Sequence, residues 1–307
     1  MVLRCVKVLS SSRCVHRNML YIVCFFWLQW FEGCIAKCIV FPYQYGILFV
    51  DDTNQSYVQW WTNNQTEMVQ PTNFNSIAPL YISSLLMWHY IYSLVIGVGG
   101  LMIERVLATI LIDDYEKKSR KYIPICIVTM THLISIPFSY SMTNNNVSFT
   151  VAFGLVFLAM LILLVLYIFV WKINAHLKSL MENPRSNNLY SLAQKFQVKE
   201  NLKAIVMIRK IIYGAILYVV FGLTFLILLI FKLIPNWDSC LSHLIENIIY
   251  FNPIFLTWVL TNCSHVWYND YWRFIPGFGQ RKVQVCVVAT NIDETNFYFN
   301  QLKQSWG

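Results

Sequence analysis

The chain has 307 residues, of which 57% are apolar and only 12% charged, against roughly 25% charged in a typical soluble domain. That balance argues against a soluble globular fold and for a chain embedded in a lipid bilayer. The formal charge of +8 is spread over particular connectors rather than gathered on one basic face, which excludes a nucleic-acid partner.

Residues 1–18, "MVLRCVKVLSSSRCVHRN", carry four basic side chains and no sustained apolar run, so they form neither a span nor a cleavable signal. A hydrocarbon core about 30 Å thick needs roughly 20 apolar residues as a helix. Six segments supply them, at residues 19–41, 79–103, 122–140, 149–171, 206–232 and 243–264. The long uncharged run after Lys121 is two spans, because "SYSMTNNNVS" at 139–148 suits a turn and not hydrocarbon. The expected fold is therefore all-α, a multispanning membrane helix bundle with six spans over residues 19–264. Segment 1–18 precedes it and a tail, 265–307, follows.

The first span contains Glu32 and Lys37. Five residues apart, they diverge by about 140° on an ideal helix, a poor geometry for an ion pair. Lys37 is expected to snorkel outward, and Glu32 needs a partner inside the bundle. Cys34 and Cys38, one turn apart, read as small buried hydrophobes. None of the nine cysteines forms a CxxC or a metal spacing with His, so no metal is expected. In the second span "LLMWHYIYS" places Trp88, His89, Tyr90 and Tyr92 in the outer half. With Glu32, the residues Trp88, His89 and Tyr92 are candidate walls of a small-ligand cavity, although a packed aromatic core is the plainer use of the same side chains.

That span ends in Glu104-Arg105, shortly before the charged run Asp113 to Lys121. Arg105 there can simply obey the inward bias of basic residues. It can also be a switch, held by its neighbouring acid in one state and released to a partner in another. Further on, Leu189, Leu192, Ala193 and Phe196 make one apolar helical stripe, with Lys195, Lys199 and Lys203 repeating beside it. The spacing predicts that the fifth span continues beyond the membrane as an amphipathic helix, suited to lipid headgroups or a docking partner. The last span carries "YFNPIFLTW", in which Pro253 removes a helix hydrogen bond and predicts a kink or local unwinding, and Asn252 can satisfy a freed backbone group. Aromatic "HVWYNDYWRFIPGF" at 265–278 suits a short interfacial helix.

Sidedness follows from Lys and Arg. Residues 1–18 and the loops 104–121 and 172–205 are basic, as is the tail, while 42–78, 141–148 and 233–242 hold no basic residue. Both termini are thus expected in the cytoplasm. The sequons at Asn54, Asn64 and Asn146 fall in loops assigned outside and are candidate glycosylation sites.

The runs "HRNML", "QWFEGCIAKCIVFPYQYG" and "ERVLATILIDDYEKKSRKYIP", together with "NPIFL" in the last span, resemble nematode serpentine chemoreceptors, most closely class epsilon, within the G-protein-coupled receptors. The resemblance implies a helix bundle whose cavity opens outward to a small-molecule ligand. It also implies coupling to a heterotrimeric G protein from the inner face, at the plasma membrane of sensory neurons. By position, Glu104-Arg105 would be the acid–Arg switch, Asn252-Pro253 the last-helix kink, and Lys195, Lys199 and Lys203 part of the coupling surface. Against the family's seven helices, "SSRCVHRN" resembles the first inner loop, so the first helix is expected to be missing. Val106 stands where the wider class has an aromatic, Leu256 where it has a Tyr, and its outer disulfide has no cysteines here. The alternative is a small membrane transporter or channel. An enzyme is not expected, since GxSxG and HExxH are absent and Glu32, His89 and His132 match no recognised set. No cofactor is expected either.

Overall fold

Apolar segments of this length must satisfy their backbone groups internally, and helices do so. The computed structural model describes residues 1–11, 16–50, 68, 74–112, 115, 120–183 and 190–273. Asn54, Asn64, Asp113, Asp114, Leu189 and everything beyond Arg273 lie outside the described residues. Among the described residues the elements are α1 (Val2–Ser11), α2 (Arg17–Leu28), α3 (Trp30–Gln44), α4 (Phe74–Ile110), α5 (Tyr122–Thr143), α6 (Phe149–Glu182), α7 (Leu192–Ile230), α8 (Asp238–Thr261) and α9 (His265–Trp272). Among the described residues six helical segments are long and apolar enough to cross a membrane, with α2 and α3 forming one of them across Arg17–Gln44. The chain is an all-α multispanning bundle.

Several helices outrun the expected spans, because charge marks where hydrocarbon would stop and not where the hydrogen-bond ladder stops. α4 continues to Ile110, α6 to Glu182, and α7 starts at Leu192. A capping box starts α7: Ser191 Oγ accepts from Gln194 N at 3.3 Å, and Ser191 N donates to Gln194 Oε1 at 2.6 Å. Ser148 caps α6. The turn after α5 uses Asn145 at φ 53°, and the one after α7 uses Lys232 at φ 47°. Lys232, counted within the fifth span from sequence, therefore lies past the helix end and is exposed. Gln29 separates α2 from α3 yet stays near helical geometry, and its N–H bonds Phe25 O at 3.1 Å.

α4 lies at the centre, touching α2, α3, α5, α6 and α7. Two glycines make that position possible. A Cβ on Gly97 would come within 2.9 Å of the Phe26 ring, and one on Gly100 within 2.6 Å of Ile127 Cγ2. On α5, small residues Thr131, Ser135 and Ser139 recur every four positions and are buried. Their hydroxyls donate to carbonyls of their own helix at 2.9, 3.3 and 2.7 Å. Close packing thus strands no donor. The opposite side of the bundle is apolar and outward-facing, as at Leu158, Ile162, Val165 and Phe169 on α6.

The first and last described helices meet. α1 buries Val2, Cys5 and Leu9 and packs against α2, α8 and α9. α9 buries Trp267 and Tyr271, with the Arg4 guanidinium 5.1 Å above the Tyr271 ring. So the aromatic tail expected to lie in the interface turns two of its rings inward, onto a helix that residues 1–18 did not advertise. Burial pushes the Cys5 thiol up to about 12.

Candidate functional site

Glu104 and Arg105 are 0% and 1% exposed, so Arg105 is no mere interfacial charge. Two guanidinium nitrogens, Nε and Nη2, donate to the two carboxylate oxygens of Glu104. A buried ion pair is costly to desolvate unless its remaining valences are filled. Here two groups, Tyr115 and Asn201, bond the pair and are themselves held by further partners. The Tyr115 hydroxyl donates to Glu104 Oε1 at 2.6 Å, and Asn18 Nδ2 on α2 donates to the Tyr115 oxygen at 3.0 Å. Arg105 Nη1 donates to Asn201 Oδ1 on α7 at 3.1 Å. Asn201 Nδ2 reaches Asn174 Oδ1 on α6 at 3.4 Å, and Asn174 donates to Thr109 Oγ1 at 2.9 Å, returning to α4. This latch joins α2, α4, α6 and α7 at the basic end of the bundle. Burial first, then the Glu104 charge, raises the Tyr115 hydroxyl pKa, so it stays a protonated donor. His16, whose ring lies 4.6 Å from that of Tyr115, is held below its ordinary value chiefly by burial. Neutral, it accepts from Asn18 N and caps α2.

Beyond this network, α2, α4, α6, α7 and α8 line a partly open cavity of about 230 Å³. Trp27, Trp88, Tyr92, Tyr218, Leu226 and Asn252 are among its walls. Of the four candidate wall residues, Trp88 and Tyr92 are in the lining and Glu32 and His89 are not. His89 Nδ1 lies 2.6 Å from Glu32 Oε1, and its other nitrogen 3.0 Å from His132 Nδ1. Gln29 adds a donor to Glu32 at 3.1 Å. The three residues dismissed from sequence as no recognised set thus form a chain across α3, α4 and α5. Their spacing of 57 and 43 positions hid it.

Lys37 does not snorkel. Its ammonium donates to Glu246 Oε1 at 2.6 Å and Gln44 Oε1 at 2.7 Å, because α8 brings the buried Glu246 carboxylate beside it. Cys38 is exposed rather than buried, since α3 turns that side outward. α8 is helical without interruption through Pro253, so there is no unwinding there. Asn252 hydrogen-bonds the Tyr90 hydroxyl instead of a freed carbonyl, and Trp30 Nε1 donates to Tyr250 O at 3.1 Å. On α7, Lys199 and Lys203 are exposed and Lys195 half-buried, and Lys203 pairs with Glu200 at 2.6 Å. The side chains of Leu192, Ala193 and Phe196 lie outside the described residues. Asn146 is exposed in the turn between α5 and α6.

The chain is thus a multispanning membrane helix bundle with an apolar cavity at some distance from a buried acid–Arg pair. The chain belongs to the Sre family of G protein-coupled chemoreceptors, whose profile matches residues 1–307. It is 35% identical to Serpentine receptor class epsilon-38 of Caenorhabditis elegans, over 99% of this chain and 87% of that protein. It is 32% identical to Serpentine receptor class epsilon-37 of the same organism, over 95% and 83%. No solved structure matches the chain. The family is one of chemoreceptors, which sets the transporter or channel alternative aside, and six apolar helices make the chain a multi-pass membrane protein.

Proposed function

We propose that the protein sits in the plasma membrane of sensory neurons with its basic end in the cytosol. There it detects an external small molecule in the cavity and activates a heterotrimeric G protein by opening the latch. One observation supports this reading above the others: two helices carry both features. α4 lines the cavity from Trp88 to Leu101, and Glu104 follows three residues later. α7 lines it from Ile211 to Leu226 and brings Asn201 to Arg105. A ligand shifts the bundle only if it binds one arrangement better than another. A small tilt of α4 against α7 that improves ligand contact separates Arg105 from Asn201, and the Nη1 group so released, with Glu104 still holding Nε and Nη2, then takes an acceptor from outside the chain. Backbone carbonyls or a carboxylate on a G protein would supply it, beside the basic surface of Lys195, Lys199 and Lys203. Asn252 lines the cavity one residue before Pro253, and the missing amide at Pro253 leaves α8 a place to bend.

The test is Arg105→Ala in a second-messenger reporter, with receptor at the surface matched by antibody staining of intact cells. Coupling is expected to fall to background. Unchanged coupling at matched surface level would overturn the switch role.

A further inference from the structure

The cavity walls decide which chemistry can occupy them. Among the described residues lining the cavity there is no Asp, Glu, Lys, Arg or His. Nearby charges are already engaged: Glu32 with His89 and Gln29, Glu246 with Lys37 and Gln44, Glu104 with Arg105. Two polar groups in the wall are engaged as well. The Tyr218 hydroxyl donates to the Ile248 carbonyl, and Asn252 is bonded to Tyr90. Trp27 Nε1–H has no partner but is itself fully buried. An ionised ligand would shed its water here and meet no countercharge, which is strongly unfavourable. An apolar one would exchange water for aromatic and aliphatic walls.

We propose that this cavity is a binding site for uncharged, predominantly apolar compounds, and that it rejects ammonium and carboxylate ligands of the same size. Scaling from an engineered apolar cavity of about 150 Å³ that holds benzene, the space suits on the order of ten non-hydrogen atoms. Ketones, esters and arenes of about six to ten carbons meet that description. The assignment rests on the receptor reading above only for the cavity's being the sensory site. Its chemistry follows from the walls alone.

Gly222 and Ala215 supply the control. Both line the cavity, and a Cβ at Gly222 would meet nothing within 4 Å, so Gly222→Leu can fill space there without a first-atom clash. The full chain in lipid nanodiscs is heated with a panel of such ketones, esters and arenes, and with alkylammonium and alkylcarboxylate compounds of matched length. Neutral members are expected to raise Tm in a saturable way, with apparent Kd at least about tenfold tighter than their charged counterparts. Gly222→Leu is expected to abolish the shift, and Ala215→Leu repeats the test should the first variant elute as aggregate. Charged members equal to or better than neutral ones, no shift with any neutral member, or a shift surviving in a folded filled variant would each overturn the proposal. No G protein is present in this assay. A neutral compound that binds yet leaves the reporter silent would count against the receptor reading and leave the cavity's chemistry standing.

Discussion

At Glu104 the carboxylate is shared between Arg105 and the Tyr115 hydroxyl. Tyr115→Phe removes one hydrogen bond to a charged acceptor, a loss of about 1.5–3 kcal/mol, without unpairing the acid. Basal reporter signalling is expected to rise several-fold at unchanged surface level, and a basal level equal to wild type would separate Tyr115 from the switch. His16 gives the latch a pH dependence of definite sign. Its folded value is lowered from the ordinary 6.5 by burial, opposed by Glu104 and reinforced by Arg105 and Arg17. Its contribution is therefore fully present above about 6.5 and is lost as pH falls through the lowered folded value, where protonation removes the acceptor that caps Asn18. Melting of the purified receptor from pH 7 to pH 5 should show a decline that His16→Asn, a cap without a titratable group, flattens. Arg105 was legible in the sequence because an adjacent acid–base pair closes an uncharged run. Tyr115, Asn18, Asn174 and Asn201 were not, because each is an ordinary loop or helix residue until four helices converge.

Between elements, the fit of α4 to its neighbours depends on missing side chains. Gly100→Val places a Cβ where Ile127 Cγ2 already stands, 2.6 Å away, and overpacking of this kind costs about 1–3 kcal/mol or more. Surface staining of Gly100→Val is expected to fall well below wild type, and a simultaneous Ile127→Ala should restore part of it. His89 ties α4 to α3 and α5 at once. His89→Phe takes this partner from Glu32 and leaves the Gln29 amide donating to it, so thermal stability in nanodiscs is expected to drop by on the order of 1–3 kcal/mol. The spans themselves were readable from runs of apolar residues. Their ends were not, because α6 and α7 continue on polar residues that favour helix. Lys37 was misread for a related reason: its partner Glu246 is more than 200 residues away, and no single-segment argument can pair them.

For the whole molecule, the remaining question of orientation is experimentally simple. Cys240, near the start of α8, is exposed and free, whereas Cys5 and Cys263 have thiols pushed up to about 12 and about 11 by burial. A membrane-impermeant maleimide added to intact cells should label Cys240 and spare the other two, and Cys240→Ser should remove that label. Labelling of Cys240 only after permeabilisation would invert the bundle and with it the assignment of the basic end to the cytosol. The alternation of basic and bare connectors carried this expectation in the sequence, since it reflects how chains insert rather than how helices pack.

Because α4 runs unbroken past the cavity to the buried ion pair, influence along it must be reciprocal. A nanobody or G-protein peptide that prefers the opened latch should tighten binding of the cavity ligand by the same factor by which that ligand tightens the peptide. Measured in both directions, the two factors form a closed thermodynamic square, and any mismatch between them would mean that a third conformation takes part.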